Sequence, residues 1–522
     1  MTAPPETPIA LGPSATARGL RLQITAPDGT TGTPTVSEIG DGVWQTALRT
    51  DRQPFTFTAV VPAVDAVTWW SPGSTVLHAT IPPSWADPVD TTALSGIPIG
   101  ALLLRGDRPG LDYALDARTA ATSVRAGLVE ETASFVVVGT VSDTVLEQAD
   151  RAAALGFGTV IVDDGWQTTS SARGYGTCGD WEVATEKFPD PAALVAGLRA
   201  RGLRTLWWIG TPFAGHSSRL RAEGLPTLYG EPGLDADVLD PRSPATRRHL
   251  VDRITHLIGH TGAEGLKLDF LERFAGPTGT PDDSTITATA QLLDEIVTQV
   301  ASVGQDPLIE FREPYVHPAV ARHSTMLRVG DCPLSASQNR VGILDLRLAR
   351  PGTPIHSDPI MWADDDSAER VAHHLINALP GVPQISMDVL RLSTGQDEAL
   401  EFWLGVWTTH REVLLHGDLT PERPDLLYPL VTASAAGRTF VCRYAPQPVR
   451  LPTGTWRDLL IANGDDSTPL LLDGPPVAVH IQLRDARGRV TQESDTHLPE
   501  RPTPLPVPSG GLAHLTRAER ES

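Results

Sequence analysis

The chain has 522 residues, 40% of them hydrophobic, and is long enough for several domains with substantial cores. Its formal net charge of −21 argues against nucleic-acid binding, since no basic patch offsets the acidic balance. No apolar run approaches the roughly 18 residues of a membrane span. The cysteines (178, 332 and 442) are scattered, and residues 1–20 have neither a basic start nor an apolar stretch, so no secretory signal is expected. A cytoplasmic protein without membrane or nucleic-acid partners is therefore expected.

Residues 1–130 are rich in Thr, Val, Pro and Gly and contain short alternating runs. Runs of this kind, separated by turn residues, predict β-strands. An N-terminal β domain is therefore expected over residues 1–130, with strands at Leu20–Thr25, Phe55–Val61, Ala66–Trp70, Ala101–Leu104 and Asp112–Leu115.

Residues 131–417 alternate between short apolar runs and helical patterns. The predicted strands are Phe135–Thr140, Thr159–Asp163, Leu203–Ile209, Leu266–Phe270, Leu308–Phe311, Met326–Val329, Pro354–His356 and Gln384–Ser386. The predicted helices are Val141–Leu155, Asp190–Arg201, Ser243–His260, Thr287–Val303, Ser337–Leu348, Ser367–Ala378 and Gly395–Leu415. Eight β/α units in about 280 residues indicate a catalytic (β/α)8 TIM barrel. A doubly wound sheet is disfavoured, because no Gly-rich phosphate loop follows a strand.

Short β-runs return over residues 418–490 and predict a C-terminal β-sandwich. They lie at Asp425–Val431, Thr439–Tyr444, Pro448–Leu451, Thr455–Leu459 and Val477–Leu483. Residues 491–522 are rich in Pro, Ser and charged residues and are expected to form a disordered tail. The predicted fold is thus multidomain, with a central barrel flanked by an N-terminal all-β domain and a C-terminal β-sandwich.

Acidic and aromatic residues cluster where the predicted barrel strands end. The active site of such a barrel lies at the C-terminal ends of its strands. Carboxylates accept hydrogen bonds from sugar hydroxyls and indole faces stack on sugar rings, so this mixture predicts a carbohydrate site. The carboxylates are Asp163, Asp164, Asp269, Glu310, Glu313, Asp331 and Asp358, and the nearby tryptophans are Trp166, Trp181 and Trp208.

The strongest catalytic candidate is Asp269, at the end of the fourth predicted strand. Lys267 lies two residues earlier and so points to the same side, where its charge keeps a nucleophilic carboxylate ionised. Only two of the 42 basic residues are lysines, Lys187 and Lys267, and both lie in segments with site candidates. Arg328 and Asp331, at the end of the sixth strand, could form a general acid/base and its cationic neighbour. The structural alternatives are a buried ion pair and a loop salt bridge.

Two further segments are expected to contact substrate. Asp163 and Asp164, followed by Gly165, could accept hydrogen bonds from vicinal hydroxyls, although a helix cap is the alternative. Asp180 and Trp181 lie in the following long loop and could complete the pocket. His356, Asp358 and residues 364–366 lack the spacing of a metal motif, so no metal or cofactor is expected. Cys332 is not expected to be a nucleophile, because the sequence shows no His–Cys arrangement that would activate its thiol.

Four segments in order resemble glycoside hydrolase family 36, the α-galactosidase and raffinose-synthase family of clan D: VIVDDGWQ (160–167), GDWEVATEKFP (179–189), GLKLDFL (265–271) and RVGD (328–331). The resemblance implies that Asp163 and Asp164 bind hydroxyls of the −1 sugar, assisted by Lys267. It also implies that Asp269 attacks the anomeric carbon and that Asp331 protonates the leaving oxygen. The chain departs from the family in its short N-terminal domain and in a sixth-strand motif that is one residue tighter.

The leading hypothesis is a retaining α-glycosidase, specifically an α-galactosidase that acts on an oligosaccharide or glycoside by double displacement. The alternatives are a related α-glycosidase or transglycosylase with another sugar specificity, an inactive sugar-binding barrel and a metal-dependent barrel enzyme. The sequence leaves homo-oligomerisation open.

Overall fold

The computed structural model describes residues 131–518, except 139, 171–173, 276–282, 305, 314–322, 350–352, 424–425 and 466–468, and the backbone of nine strands before them. Those nine strands form a four-stranded and a five-stranded antiparallel sheet. Four of the five predicted N-terminal strands are confirmed, and Asp112–Leu115 lies outside the described residues. The strands are Arg21–Thr25, Thr31–Gly32, Ser37–Gly40, Val43–Ala47, Thr56–Val60, Ala66–Trp70, Val76–Ala79, Val89–Thr91 and Ala101–Arg105.

Eight parallel strands, β1 to β8, form the central barrel. From β1 to β7 each strand pairs with the next in chain order, and β8 pairs with β1. The ring closes between β7 and β8 because Ser357 N donates to Val382 O at 2.9 Å and Val382 N to Ile355 O at 2.8 Å. The predicted barrel is confirmed, with strands at Ser134–Val137, Thr159–Val162, Arg204–Gly210, Gly265–Asp269, Leu308–Arg312, Met326–Arg328, Ile355–His356 and Gln384–Ile385.

Seven helices, α1 to α7, surround the barrel in the described part of the chain. Their starts follow the sequence signals: Asp190 and Ser243 each precede a proline and accept a backbone N–H of the first turn, and Ser393 forms a capping box with Gln396. None of these helices is both long and apolar enough to cross a membrane. The helices are Ser142–Ala154, Pro191–Arg199, Pro244–Thr261, Asp283–Val303, Ala336–Ala349, Ala368–Ala378 and Thr394–His416.

Alternation along the strands divides the apolar residues into two layers. Side chains inside the barrel form a cluster of their own, made of Val136, Ile161, Leu206, Leu308 and Met326. Their strand neighbours, such as Phe135 and Val160, pack in the larger cluster with the helices. Because the interior is filled, the open ends of the strands are the place where this barrel can present a site.

Two β-sheets follow the barrel and share one buried apolar cluster. The seven-stranded sheet contains Asp418–Glu422, Leu430–Ala435, Arg438–Arg443, Asp458–Asn463, Leu512–Arg517, Val477–Arg484 and Val490–Leu498, in spatial order. The three-stranded sheet contains Val449–Arg450, Leu470–Asp473 and Thr503–Leu505. This arrangement agrees with the β-sandwich predicted from the sequence.

A disordered tail was predicted over residues 491–522, and this was wrong over 491–517, where three strands of the sandwich lie. Leu512–Arg517 lies between two other strands of the large sheet, and Leu505, Ala513 and Leu515 are buried in the shared cluster. The proline-rich segment 499–508 contains the short strand Thr503–Leu505 between two connections, and the alternating apolar residues after it form the strand Leu512–Arg517. The sandwich therefore extends to Arg517.

Because the sandwich includes the strand Leu512–Arg517, we expect that a chain truncated after residue 490 does not fold normally. Truncation removes a strand with a paired neighbour on both sides and opens the apolar cluster to water. We expect insoluble protein, or a melting temperature lower by more than about 10 °C, measured by circular dichroism. Deletion of residues 519–522 is the matched control and should leave the melting temperature unchanged. Normal melting of the longer truncation would contradict the assignment.

Candidate active site

The charged residues predicted for the site come together at the C-terminal ends of the barrel strands. Asp163 follows β2, Lys267 and Asp269 end β4, Arg328 ends β6, and Asp331 follows it. The charge of Arg328 lowers the pKa of both predicted catalytic carboxylates, Asp269 and Asp331. The negative charge of Asp269 also acts on Asp331. Asp269 and Asp331 thus lie near one another at this end of the barrel, and near the same arginine.

Lys267 binds most closely to Asp163, which lies 104 residues earlier in the chain. Its Nζ is 2.5 Å from Asp163 Oδ2 and 3.9 Å from Asp269 Oδ2. On the neighbouring strand it pairs in register with Glu310. The ammonium therefore lies among three carboxylates, and this convergence keeps its pKa above the ordinary value despite burial.

Both lysines of the chain hold the turn after β2. Lys187 Nζ donates to Gly165 O at 2.8 Å, while Lys267 holds Asp163. Gly165 has φ 101°, a left-handed conformation that favours glycine. Gln167 Nε2 donates to Asp164 Oδ1 at 2.9 Å. The turn is thus fixed from several directions, and it presents two carboxylates beside the nucleophile candidate.

Asp269 is buried and surrounded by hydrogen-bond donors. Oδ1 accepts from Arg312 Nε at 2.6 Å and from Phe270 N at 2.7 Å, and Oδ2 accepts from Trp208 Nε1 at 2.9 Å. Burial alone would raise the pKa of Asp269, but Lys267, Arg312, Arg328 and the indole hydrogen bond outweigh it and hold the pKa far below its usual range. The carboxylate is therefore ionised at every physiological pH, as a nucleophile requires.

Arg328 connects the remaining carboxylates. Its buried guanidinium hydrogen-bonds to Asp358, lies 3.0 Å from Asp331 Oδ1 and lies 3.5 Å from Glu310 Oε1. Burial would raise the pKa of Asp331, but Arg328 and Arg312 lower it overall. The Asp331 side chain is 69% exposed, so it is open to a substrate above the barrel, whereas Asp358 is 3% exposed.

The three tryptophans predicted for the site are buried and pack in the core, so they do not offer an exposed ring face to a sugar. Trp166 is fully buried and its Nε1 donates to Trp208 O at 2.8 Å, so the substrate contact predicted for Trp166 is not supported. Trp181 is buried beside both of them. Trp208 acts on the site through its hydrogen bond to Asp269. The turn after β2 directs its carboxylates toward the site and its indole into the core.

Tyr175 is a further aromatic residue close enough to Asp164 and Asp269 to be affected by their charges, and sequence reasoning missed it. Its half-buried ring stacks on Trp208, with centroids 5.8 Å apart, and meets Phe270 edge-on at 4.9 Å. Burial, followed by the charges of Asp164 and Asp269, raises the pKa of its hydroxyl. The signal was an isolated tyrosine in the glycine-rich part of the loop before Asp180.

The Asp180 carboxylate is bound by backbone N–H groups of another loop and is not free to bind substrate. Its carboxylate accepts Leu220 N at 3.0 Å and Arg219 N at 3.1 Å, at the start of the short helix Leu220–Glu223. This helix lies in the long β3–α3 connection, with strands Phe213–Gly215, Thr227–Glu231 and Ala236–Leu239. The predicted substrate contact of Asp180 is therefore not supported, and its role is to hold two loops together.

Within the described ranges, no group of three or more His, Cys, Asp or Glu side chains could hold a metal ion. Asp364 and Asp365 are exposed to solvent just before α6. Burial raises the pKa of the Cys332 thiol to about 12, so the nucleophilic thiolate form is scarce at neutral pH.

Comparison with known proteins establishes the fold. No family model matches the chain, and no curated protein matches it by sequence. Solved structures do match over nearly the whole chain. The GH36 α-galactosidase AgaA from Geobacillus stearothermophilus, in a variant crystallised with stachyose, is 11% identical, with a TM-score of 0.56 over 96% of this chain and 75% of its own.

Two other structures extend this comparison. The galactosidase domain of the α-galactosidase–sucrose kinase AgaSK is 11% identical, with a TM-score of 0.54 over 95% of this chain and 88% of its own. A xylosidase from Aspergillus niger is 10% identical, with a TM-score of 0.51 over 96% and 86%. The chain therefore shares the fold of GH36 α-galactosidases, and at these identities the likeness is one of fold.

Proposed function

We propose that the protein is a retaining α-glycosidase, specifically an α-galactosidase, with Asp269 as nucleophile and Asp331 as general acid/base. The observation that carries this proposal is the contrast between the two carboxylates. Asp269 is buried and held ionised by cations and donors, whereas Asp331 stands exposed at the next strand end but one. A fixed anion beside a solvent-accessible proton carrier is the arrangement that double displacement needs.

In the first step, Asp269 forms a bond to the anomeric carbon while the bond to the leaving oxygen breaks and Asp331 gives that oxygen its proton. In the second step, Asp331 takes a proton from water, the water oxygen bonds to the anomeric carbon and the Asp269 carboxylate is released. Asp163 and Asp164 accept hydrogen bonds from sugar hydroxyls, and Lys267 keeps Asp163 in position at 2.5 Å.

Galactose is the preferred sugar because the fold is shared with α-galactosidases, among them AgaA, which was crystallised in one variant with stachyose and in another with 1-deoxygalactonojirimycin. A related fold in a xylosidase favours testing other sugars alongside it. The experiment is a screen of nitrophenyl α-glycosides, with D269A as the matched inactive variant. Turnover of the α-galactoside by the wild type supports the proposal. Binding of sugars without turnover of any α-glycoside would favour the inactive receptor.

The lowered pKa of Asp331 predicts an acidic optimum. The kcat/KM profile reports the free enzyme, in which a general acid must be protonated. Since Arg328 and Arg312 lower the pKa of Asp331, its protonated fraction decreases about tenfold per pH unit above about pH 4, while Asp269 stays ionised. We expect kcat/KM for an alkyl α-glycoside to rise steadily from pH 7 to pH 5, measured at constant ionic strength. A flat profile across this range would contradict this assignment of the acid.

A further inference from the structure

Arg312 is the donor nearest to the proposed nucleophile, and three of its nitrogens bind three different acceptors. Nε donates to Asp269 Oδ1 at 2.6 Å, Nη1 to Glu313 O at 2.8 Å and Nη2 to Glu272 Oε1 at 3.2 Å. The guanidinium also lies over the Phe270 ring, 5.2 Å from its centroid. A planar fork of donors suits this arrangement, and a lysine ammonium cannot reproduce it.

These contacts tie the ends of two paired strands, β4 and β5, to the short helix that follows β4. Arg312 ends β5, Asp269 ends β4, and Glu272 lies in the short helix Leu271–Ala275 that follows β4. Phe270 has φ 63°, a left-handed conformation that is rare for an aromatic residue. Its backbone N–H donates to the same carboxylate oxygen as Arg312. The backbone after β4 is thus bent so that two donors meet on Oδ1.

The location of Arg312 separates it from residues that grip substrate. Its side chain is 9% exposed, and its charge is shared between Asp269 and Glu272. A change at Arg312 therefore acts on the reaction through the carboxylate that it holds. Other charged or titratable groups also act on Asp269, so a test must isolate Arg312 from Lys267, Arg328, Glu272, Asp331 and Tyr175.

We propose that Arg312, anchored by Glu272 and the Glu313 carbonyl, is the positioning residue that fixes the orientation and charge of Asp269 for attack. This inference rests on the proposed glycosidase function and adds to it a residue that binds the nucleophile. At the end of the fifth strand the sequence drew attention to the carboxylates Glu310 and Glu313, and the arginine between them had no assigned role.

The test is steady-state kinetics of R312M and R312K on an aryl α-glycoside that the wild type hydrolyses. R312M should lower kcat about 100-fold with little change in KM, and should move the acidic limb of kcat/KM to higher pH. R312K keeps the positive charge but not the planar guanidinium. The acidic limb of the kcat/KM profile should therefore stay near its wild-type position, while kcat remains reduced. E272Q, which weakens the anchor, should give a smaller loss of kcat.

R347M is the matched control, because Arg347 donates only to backbone carbonyls, of Pro380, Leu414 and Leu415. It should lower the melting temperature without moving the pH limb. A wild-type limb in R312M, or a loss confined to KM, would overturn the inference.

A second measurement does not depend on catalysis. Asp269 and Arg312 are in contact, so the decreases in melting temperature caused by D269N and R312M should not add in the double variant. If no α-glycoside is hydrolysed, the proposed function fails, but this double-mutant cycle still measures the coupling between Asp269 and Arg312. Additive decreases would overturn the positioning role of Arg312.

Discussion

Substitution of Asp269 by alanine is expected to abolish glycoside hydrolysis while leaving the protein folded. The carboxylate is the group proposed to bond to the anomeric carbon, and losses for nucleophile variants are on the order of 10⁴- to 10⁶-fold in kcat. Removal of the side chain also leaves a small cavity between Arg312 Nε and Trp208 Nε1, the two donors that now bind it. Kinetics on a nitrophenyl α-galactoside measure the loss.

Azide gives the decisive readout for this variant. A small anion can enter the cavity beside Arg312 and attack the anomeric carbon from the side that the carboxylate occupied, so D269A should regain activity with azide. Because only one displacement then takes place, the product should be the β-glycosyl azide, identified by NMR. D252A changes an exposed aspartate on α3 and should retain wild-type activity. Undiminished activity of D269A without azide would rule out Asp269 as the nucleophile.

The barrel could be predicted because its signals are local. A strand run or a helical period occupies a few consecutive residues, and caps such as Asp190 and Ser243 mark where a helix begins. The tail could not be predicted in this way, since average composition hid the apolar positions Ala513 and Leu515. Their burial depends on strand partners that lie 30 or more residues earlier.

The contacts of the site likewise fall into those that sequence spacing predicts and those that depend on how distant strands are arranged. Lys267 and Asp269 share a face because they lie two apart on a strand, which sequence shows directly. The shorter contact, from Lys267 to Asp163, depends on how β2 and β4 are arranged in the barrel, and no spacing reveals it. The substrate contact predicted for Trp166 is not supported for a related reason: the turn that presents Asp163 directs the Trp166 indole into the core.

Substitution of Asp331 by alanine is expected to produce a loss that depends on the leaving group. General acid catalysis contributes about 10²- to 10⁴-fold, and a good leaving group needs little of it. We expect a large decrease in kcat/KM for alkyl α-galactosides and a small one for the dinitrophenyl α-galactoside. Azide should accelerate the second step and yield the α-glycosyl azide, the opposite anomer to the D269A product, because Asp269 still performs the first displacement.

Asp358 provides the competing assignment, since burial raises its pKa to about 6, closer to that of a working acid than the lowered pKa of Asp331. Access decides against it. Asp358 is 3% exposed and accepts hydrogen bonds from Arg328 and from Cys332 N, whereas the Asp331 side chain is 69% exposed at the same arginine. D358N should therefore lower activity to a similar degree for good and poor leaving groups, by disturbing Arg328. Leaving-group dependence in D358N, with none in D331A, would reverse the two roles.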